Sequence, residues 1–120
     1  MSRWLVMVAG PYRSGAADAH GRREHLRALE RAAYEVFRKG HVPLVGVNVA
    51  LPLVEVAGAE RYDEIMTPLC LRLADRCDAV LRVGGPSAGA DAEVARIRDR
   101  GGRVLHSLDE LPDVTAPGSM

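Results

Sequence analysis

Four short apolar runs, separated by longer segments of mostly helical pattern, constrain this chain more than any other feature. Trp4-Leu5-Val6-Met7-Val8-Ala9 is unbroken and ends in Gly10-Pro11, which suits a parallel strand buried on both faces. His41 to Val47 reads as a second strand with Pro43 near its start, where a missing N–H does least harm. Ala79 to Val83 and Arg103 to His106 complete the set. Between the first two runs, from about Ala19 to Lys39, the residues Leu26, Leu29, Ala33, Val36 and Phe37 recur at helical spacing, and Gly40 supplies the stop. Asn48 to Gly58 is expected as a loop, apolar enough to cover a cavity or meet another chain. Glu60 to Met66 forms a helical turn or two, and Thr67-Pro68 restarts the helix as N-cap and first residue, with Leu69, Leu73 and Cys77 inward. A bend is expected there. Gly89 to Arg100 carries Ala90, Val94 and Ile97 as an inner stripe and ends at Gly101-Gly102.

Strands alternating with helices predict an α/β chain: a three-layer flavodoxin/Rossmann-like fold with a four- to five-stranded parallel sheet and right-handed crossovers. One domain is expected over residues 1–112, with Leu108 to Leu111 adding a short turn and 113–120 forming a flexible tail. At 120 residues the chain can bury one core but not a separate substrate domain.

Composition removes several function classes. Lys and Arg number 16 against 16 Asp and Glu, so no net field draws a polyanion or an acidic membrane. Aromatic residues are 4% of the chain, too few for the stacking platforms of single-strand binders. Nucleic acid is not the expected partner. Cys70 and Cys77 would share one helix face, where a disulfide cannot close, and both are read as buried thiols. His20 and His25 fall on different helical faces and no Cys/His spacing suits zinc, so neither metal nor organic cofactor is implied. The apolar run at Trp4 to Ala9 is too short for a signal core or a membrane span; no membrane association and a cytoplasmic location are expected.

In open parallel sheets the site lies beyond the carboxyl ends of the strands, and two loops of unusual composition leave those ends. Gly10-Pro11-Tyr12-Arg13-Ser14-Gly15 offers backbone N–H groups, a guanidinium fork and a hydroxyl to a phosphate. It is neither a Walker A loop nor a dinucleotide fingerprint, and the plain alternative is a turn with a surface Arg. Gly84 to Gly89 opens a helix whose N-terminus collects N–H groups near Ser87 to Ala90, with the Glu93 carboxylate about one turn further in. Taken alone, Glu93 would be a solvated residue pairing with Arg96 at i+3; its placement behind a glycine-rich loop favours a role in the site. Asp91 is expected to complement the helix N-terminus. Asn48, at the end of the second run, is a further candidate contact to substrate.

Gly10-Pro11-Tyr12 after the first strand, Cys77-Asp78-Ala79-Val80 entering the third, and Ser87-x-Gly89-x-x-x-Glu93 together resemble the nucleoside 2-deoxyribosyltransferase superfamily, over about residues 4 to 111. That superfamily includes 2′-deoxynucleoside 5′-phosphate N-hydrolases, cytidylate N-glycosidases and small bacterial proteins of unknown function. The resemblance implies a homodimer or larger assembly that cleaves or transfers an N-glycosidic bond of a small-molecule nucleoside or nucleotide. It implies Glu93 as nucleophile on the anomeric carbon, as in a retaining glycosidase. Ser87 and Gly89 match positions that hold sugar or phosphate, and Tyr12, Arg13 and Ser14 match first-loop contacts to the sugar and its 5′ group; Gly10 and Gly15 bound that loop. One departure stands out: where the family carries an Asp on the helix before the third strand, this chain has Cys70. A buried thiol is a poor substitute, and Asp63, brought in by a bend at Pro68, is the candidate to take over.

The leading expectation is therefore N-glycosidic hydrolysis or base transfer on a nucleoside or nucleoside 5′-monophosphate, with Glu93, Tyr12 and Asp63 as catalytic candidates. The alternatives are a non-catalytic nucleotide-binding module that has lost its acid, and a structural dimer joined through Val49 to Val56.

Overall fold

Val6, Met7, Val8 and Ala9 are all buried, as an apolar run with no alternation demands of a strand covered on both sides. The computed structural model describes residues 2–115. Its elements are β1 (Leu5–Ala9), α1 (Ala19–Arg38), β2 (Val42–Leu44), α2 (Gly46–Ala57), α3 (Tyr62–Ala74), β3 (Ala79–Arg82), α4 (Ala88–Asp99) and β4 (Arg103–Leu105), with 3-10 turns at Ala59–Arg61 and Leu108–Glu110. The four strands form one all-parallel sheet in the order β2-β1-β3-β4.

The two faces of β1 feed two cores. Val6 and Val8 pack with Leu29 and Val36 of α1 and with Ala79, Leu81 and Leu105. Met7 and Ala9 pack with Ala74 and Cys77, at the end of α3, and with Ala90 and Ile97 of α4. Helix–sheet–helix layering follows, as the alternating pattern predicts. Pro43 is tolerated because β2 is an edge strand. Asp18 caps α1 by accepting from Gly21 N–H at 2.9 Å, and Ser87 caps α4 by accepting from Ala90 N–H at 3.2 Å.

Three expectations are corrected. Asn48 to Gly58 is not a loop: Gly46–Ala57 is helical, with Gly46, Ala50 and Val54 as a buried stripe, of which Gly46 and Ala50 pack on Met66 and Cys70 of α3. Pro52 removes one helical N–H, a cost of about 3 kcal/mol that this packing outweighs. α3 does not restart at Thr67-Pro68; it runs unbroken from Tyr62 to Ala74 with Pro68 inside, because Met66, Cys70 and Ala74 bury one continuous face. Phe37, expected inward, is 63% exposed, since the α1 stripe is centred on Leu29 and Val36.

Residues 113–115, expected in the tail, are held against the body of the fold. Val114 is buried and its N–H donates to Lys39 O at 2.8 Å, while Lys39 Nζ donates to the carbonyls of Leu108 and Leu111. His41, fully buried, accepts Trp4 N–H on Nδ1 at 3.0 Å and donates from Nε2 to Pro112 O at 2.7 Å. This strap ties the segment after β4 to the start of β1. Residues 116–120 lie outside the described residues.

Candidate functional site

The strand order reverses between β1 and β3, the place where ligands lodge in open parallel sheets. Here the two strand ends approach so closely that side chains are excluded. A Cβ on Gly10 would meet Val83 O at 2.6 Å, and one on Gly84, which sits at φ +77°, would meet Pro11 Cδ at 2.8 Å. The two loops singled out in the sequence therefore touch, and a cavity of about 280 Å3 opens above them, between α3 and α4.

Of the candidate residues, Gly10, Tyr12, Arg13, Ser14, Asp63, Ser87, Gly89 and Glu93 all line this cavity. Gly15 lines an adjoining one of about 470 Å3, which shares Ser14 and Ser87 with the first and includes His25. Asn48 reaches neither; its amide donates to Glu30 Oε2 at 3.2 Å, between α2 and α1. Asp63 lines the cavity from the first turn of the unbroken α3, but at the mouth: its side chain is 99% exposed and lies 3.9 Å from Arg13.

Glu93 is not held by Arg96. Arg96 forks onto Asp75 instead, with Nε to Oδ1 at 2.7 Å and Nη2 to Oδ2 at 3.0 Å, a bridge from α4 to the end of α3. Glu93 is left facing the cavity, and burial pushes its carboxyl up to about 7, the positive charge of Arg82 opposing that rise. Next to it, Cys70 is buried and its thiol is pushed up to about 12, by desolvation first and by the Glu93 charge second. Cys70 and Cys77 are both free thiols, as expected.

Tyr62 and Arg82 are site residues not singled out in the sequence. Tyr62, on the first turn of α3, lies under the Arg13 guanidinium, 4.1 Å from ring centroid to Cζ, and burial raises its phenol above the ordinary value. Its signal was its place one residue before Asp63. Arg82 orders the β3–α4 loop: it donates to Val83 O at 2.6 Å and to Gly85 O at 2.9 Å, and pairs with Asp91 at 3.0 Å. A charged residue inside a buried parallel strand was its signal. Asp91 thus answers Arg82 rather than standing alone at the helix start. His25 Nδ1 donates to Tyr12 O at 2.9 Å, fixing the first loop to α1, a carbonyl being unable to donate.

The arrangement places one carboxylate in the lining of the cavity, a guanidinium at its mouth, and a helix N-terminus with hydroxyls on one wall. Such a set of groups can hold an anion and present a carboxylate oxygen beside it. Among the described residues, no His, Cys, Asp and Glu side chains cluster to hold a metal, and no helix is long and apolar enough to cross a membrane. No protein-family model matches the chain, and no curated protein matches it significantly.

Proposed function

We propose that this chain cleaves the N-glycosidic bond of a nucleoside or nucleoside 5′-monophosphate, with Glu93 as nucleophile and water or a second base as acceptor, and without metal or organic cofactor. The observation that carries the reading is the position of Glu93: a half-buried carboxylate free of Arg96, lining the cavity where the β1 and β3 loops meet. In this reading the sugar lies between Tyr12 and the Ser87–Gly89 turn. Its 5′-phosphate meets Arg13, Ser14 and the first N–H groups of α4. Glu93 attacks the anomeric carbon as the base departs, and the resulting glycosyl ester is then resolved.

Base release from a panel of nucleosides and 5′-monophosphates, followed by chromatography with Glu93→Ala as control, tests this. Release that Glu93→Ala abolishes supports it; no release from any member overturns it. Cys70 favours a second reading, a nucleotide-binding module without catalysis, because a thiol pushed up to about 12 is a weak general acid near neutrality. That reading expects a monophosphate to raise the melting temperature with no base released. The dimer belongs to the same proposal: Leu53 and Val56 are exposed on the outer face of α2, and sedimentation velocity reads the assembly directly.

A further inference from the structure

The cavity offers a nucleophile to a sugar but a poor supply of protons to a departing base. Asp63 is at the mouth, solvated and beside Arg13. Cys70, at the floor, is buried against Met66, Sγ to Sδ at 3.8 Å. Tyr62 carries the Arg13 guanidinium on its ring. When an N-glycosidic bond breaks, its electron pair stays with the base nitrogen. A neutral purine or pyrimidine thereby becomes an anion unless an acid protonates it, a contribution typically worth ~100- to 10,000-fold. A base joined to the sugar as a cation leaves as a neutral molecule and takes no proton.

We infer that, within the N-glycosidase reading above on which this rests, the substrate is the N-glycoside of a positively charged aromatic base, an N-ribosylpyridinium 5′-phosphate rather than a neutral-base nucleotide. The step balances without an acid. A Glu93 carboxylate oxygen bonds to C1′ while the C1′–N bond breaks, its electron pair neutralising the pyridinium nitrogen. Water then bonds to C1′, the ester oxygen returns to Glu93 as carboxylate, and the water proton goes to solvent, leaving ribose 5-phosphate.

The walls agree with such a base. Val47, Met66, Cys70 and Leu71 give the α2–α3 side an apolar, sulfur-bearing surface, polarisable and nearly without groups to read hydrogen-bonding edges. The hydroxyls of Thr67 and Tyr62 and the carboxylate of Asp63 at the mouth are the polar side chains that α3 adds. Tyr12 lines the same cavity and, among the described residues, carries no cation on its ring, which leaves it open to a pyridinium.

Purified full-length protein is assayed for nicotinamide release from nicotinamide mononucleotide, beside base release from the four ribonucleoside and four deoxyribonucleoside 5′-monophosphates, with Glu93→Ala and Cys70→Asp in parallel. The expected result is a kcat/KM for the pyridinium substrate at least ~100-fold above the best neutral-base substrate, the span an absent acid predicts. Glu93→Ala abolishes it, and Cys70→Asp, confirmed folded by circular dichroism, raises neutral-base cleavage at least ~10-fold. A neutral-base monophosphate cleaved by the wild type as fast as the pyridinium overturns this inference and leaves the N-glycosidase reading standing. No release from any substrate overturns both.

Discussion

Glu93 should make the protein less stable as pH rises through the neutral range, and replacing it with Gln should remove that loss. Its carboxyl is moved by burial from an ordinary 4.5 to about 7 in the folded chain. Between those values the folded state binds more protons than the unfolded one, so unfolding free energy falls as pH increases. Above pH 7 the full cost of ionising a buried carboxylate is present, about 3 kcal/mol from the shift, a large share of what a domain of this size has. Below about pH 4.5 the carboxyl is protonated in both states and the cost vanishes. Glu93→Gln keeps the shape and a polar end but cannot ionise. Urea unfolding followed through the single Trp, Trp4, should give the two proteins similar stability at pH 5 and the variant an advantage of ~2–3 kcal/mol at pH 8. A variant-minus-wild-type difference that is the same at both pH values would refute the assignment of Glu93 as a half-buried acid raised by desolvation.

Three other perturbations read the scaffold around it. Gly10→Ala puts a Cβ 2.6 Å from the Val83 carbonyl, a backbone atom that cannot swing aside; a loss of ~2–3 kcal/mol is expected by thermal or urea unfolding, together with weakened ligand binding as the two loops are forced apart. Arg82→Met removes the donors to Val83 O and Gly85 O, for ~2 kcal/mol, and, by deleting the charge that opposes the burial of Glu93, moves the midpoint of the wild-type kcat/KM–pH profile above 7. His41→Phe leaves the Trp4 N–H and the Pro112 carbonyl without their partners; a loss of ~3 kcal/mol and faster hydrogen exchange at the Trp4 and Val114 amides are expected, whereas unchanged exchange would mean the C-terminal strap does not depend on this ring.

The parts of the fold that could be read from the sequence are those whose signals are local. The apolar runs at Leu5–Ala9 and Ala79–Arg82, the stripe of α1 and the helix start behind Gly84 to Gly89 each lie within a few residues. α2 was hidden because its local chemistry argues against a helix: Pro52 and five valines between Val45 and Val56 disfavour it. What decides is tertiary, Gly46 and Ala50 of the buried stripe fitting against Met66 and Cys70. Pro68 misled in the same way, since the continuous buried face of α3 overrides the missing N–H. At the site, the loops announced themselves by glycine content and position. The partner of Arg96, the reach of Asn48 and the stacking of Arg13 on Tyr62 did not, because each depends on how separate elements lie against one another.

The charge on Glu93 is, on this geometry, under the control of whatever enters the cavity. Arg82 already engages Asp91 and two carbonyls, Arg13 engages Tyr62 and Asp63, and the Cys70 thiol beside Glu93 stays neutral, so no protein charge is free to ionise it further. A unit positive charge about 4 Å from the carboxylate is worth ~4 kcal/mol at an effective dielectric of ~20, slightly more than the ~3 kcal/mol by which burial disfavours the ion. A pyridinium base would therefore ionise the nucleophile as it binds, whereas a neutral-base nucleotide would leave it partly protonated near pH 7. The difference is measurable, because kcat/KM reports the free enzyme and kcat the complex. With a pyridinium substrate, kcat/KM should rise with pH through about 7, and kcat should already be at its plateau there, its midpoint at least one pH unit lower. If kcat and kcat/KM share one midpoint, the bound substrate brings no positive charge to Glu93, and this coupling between substrate charge and nucleophile fails.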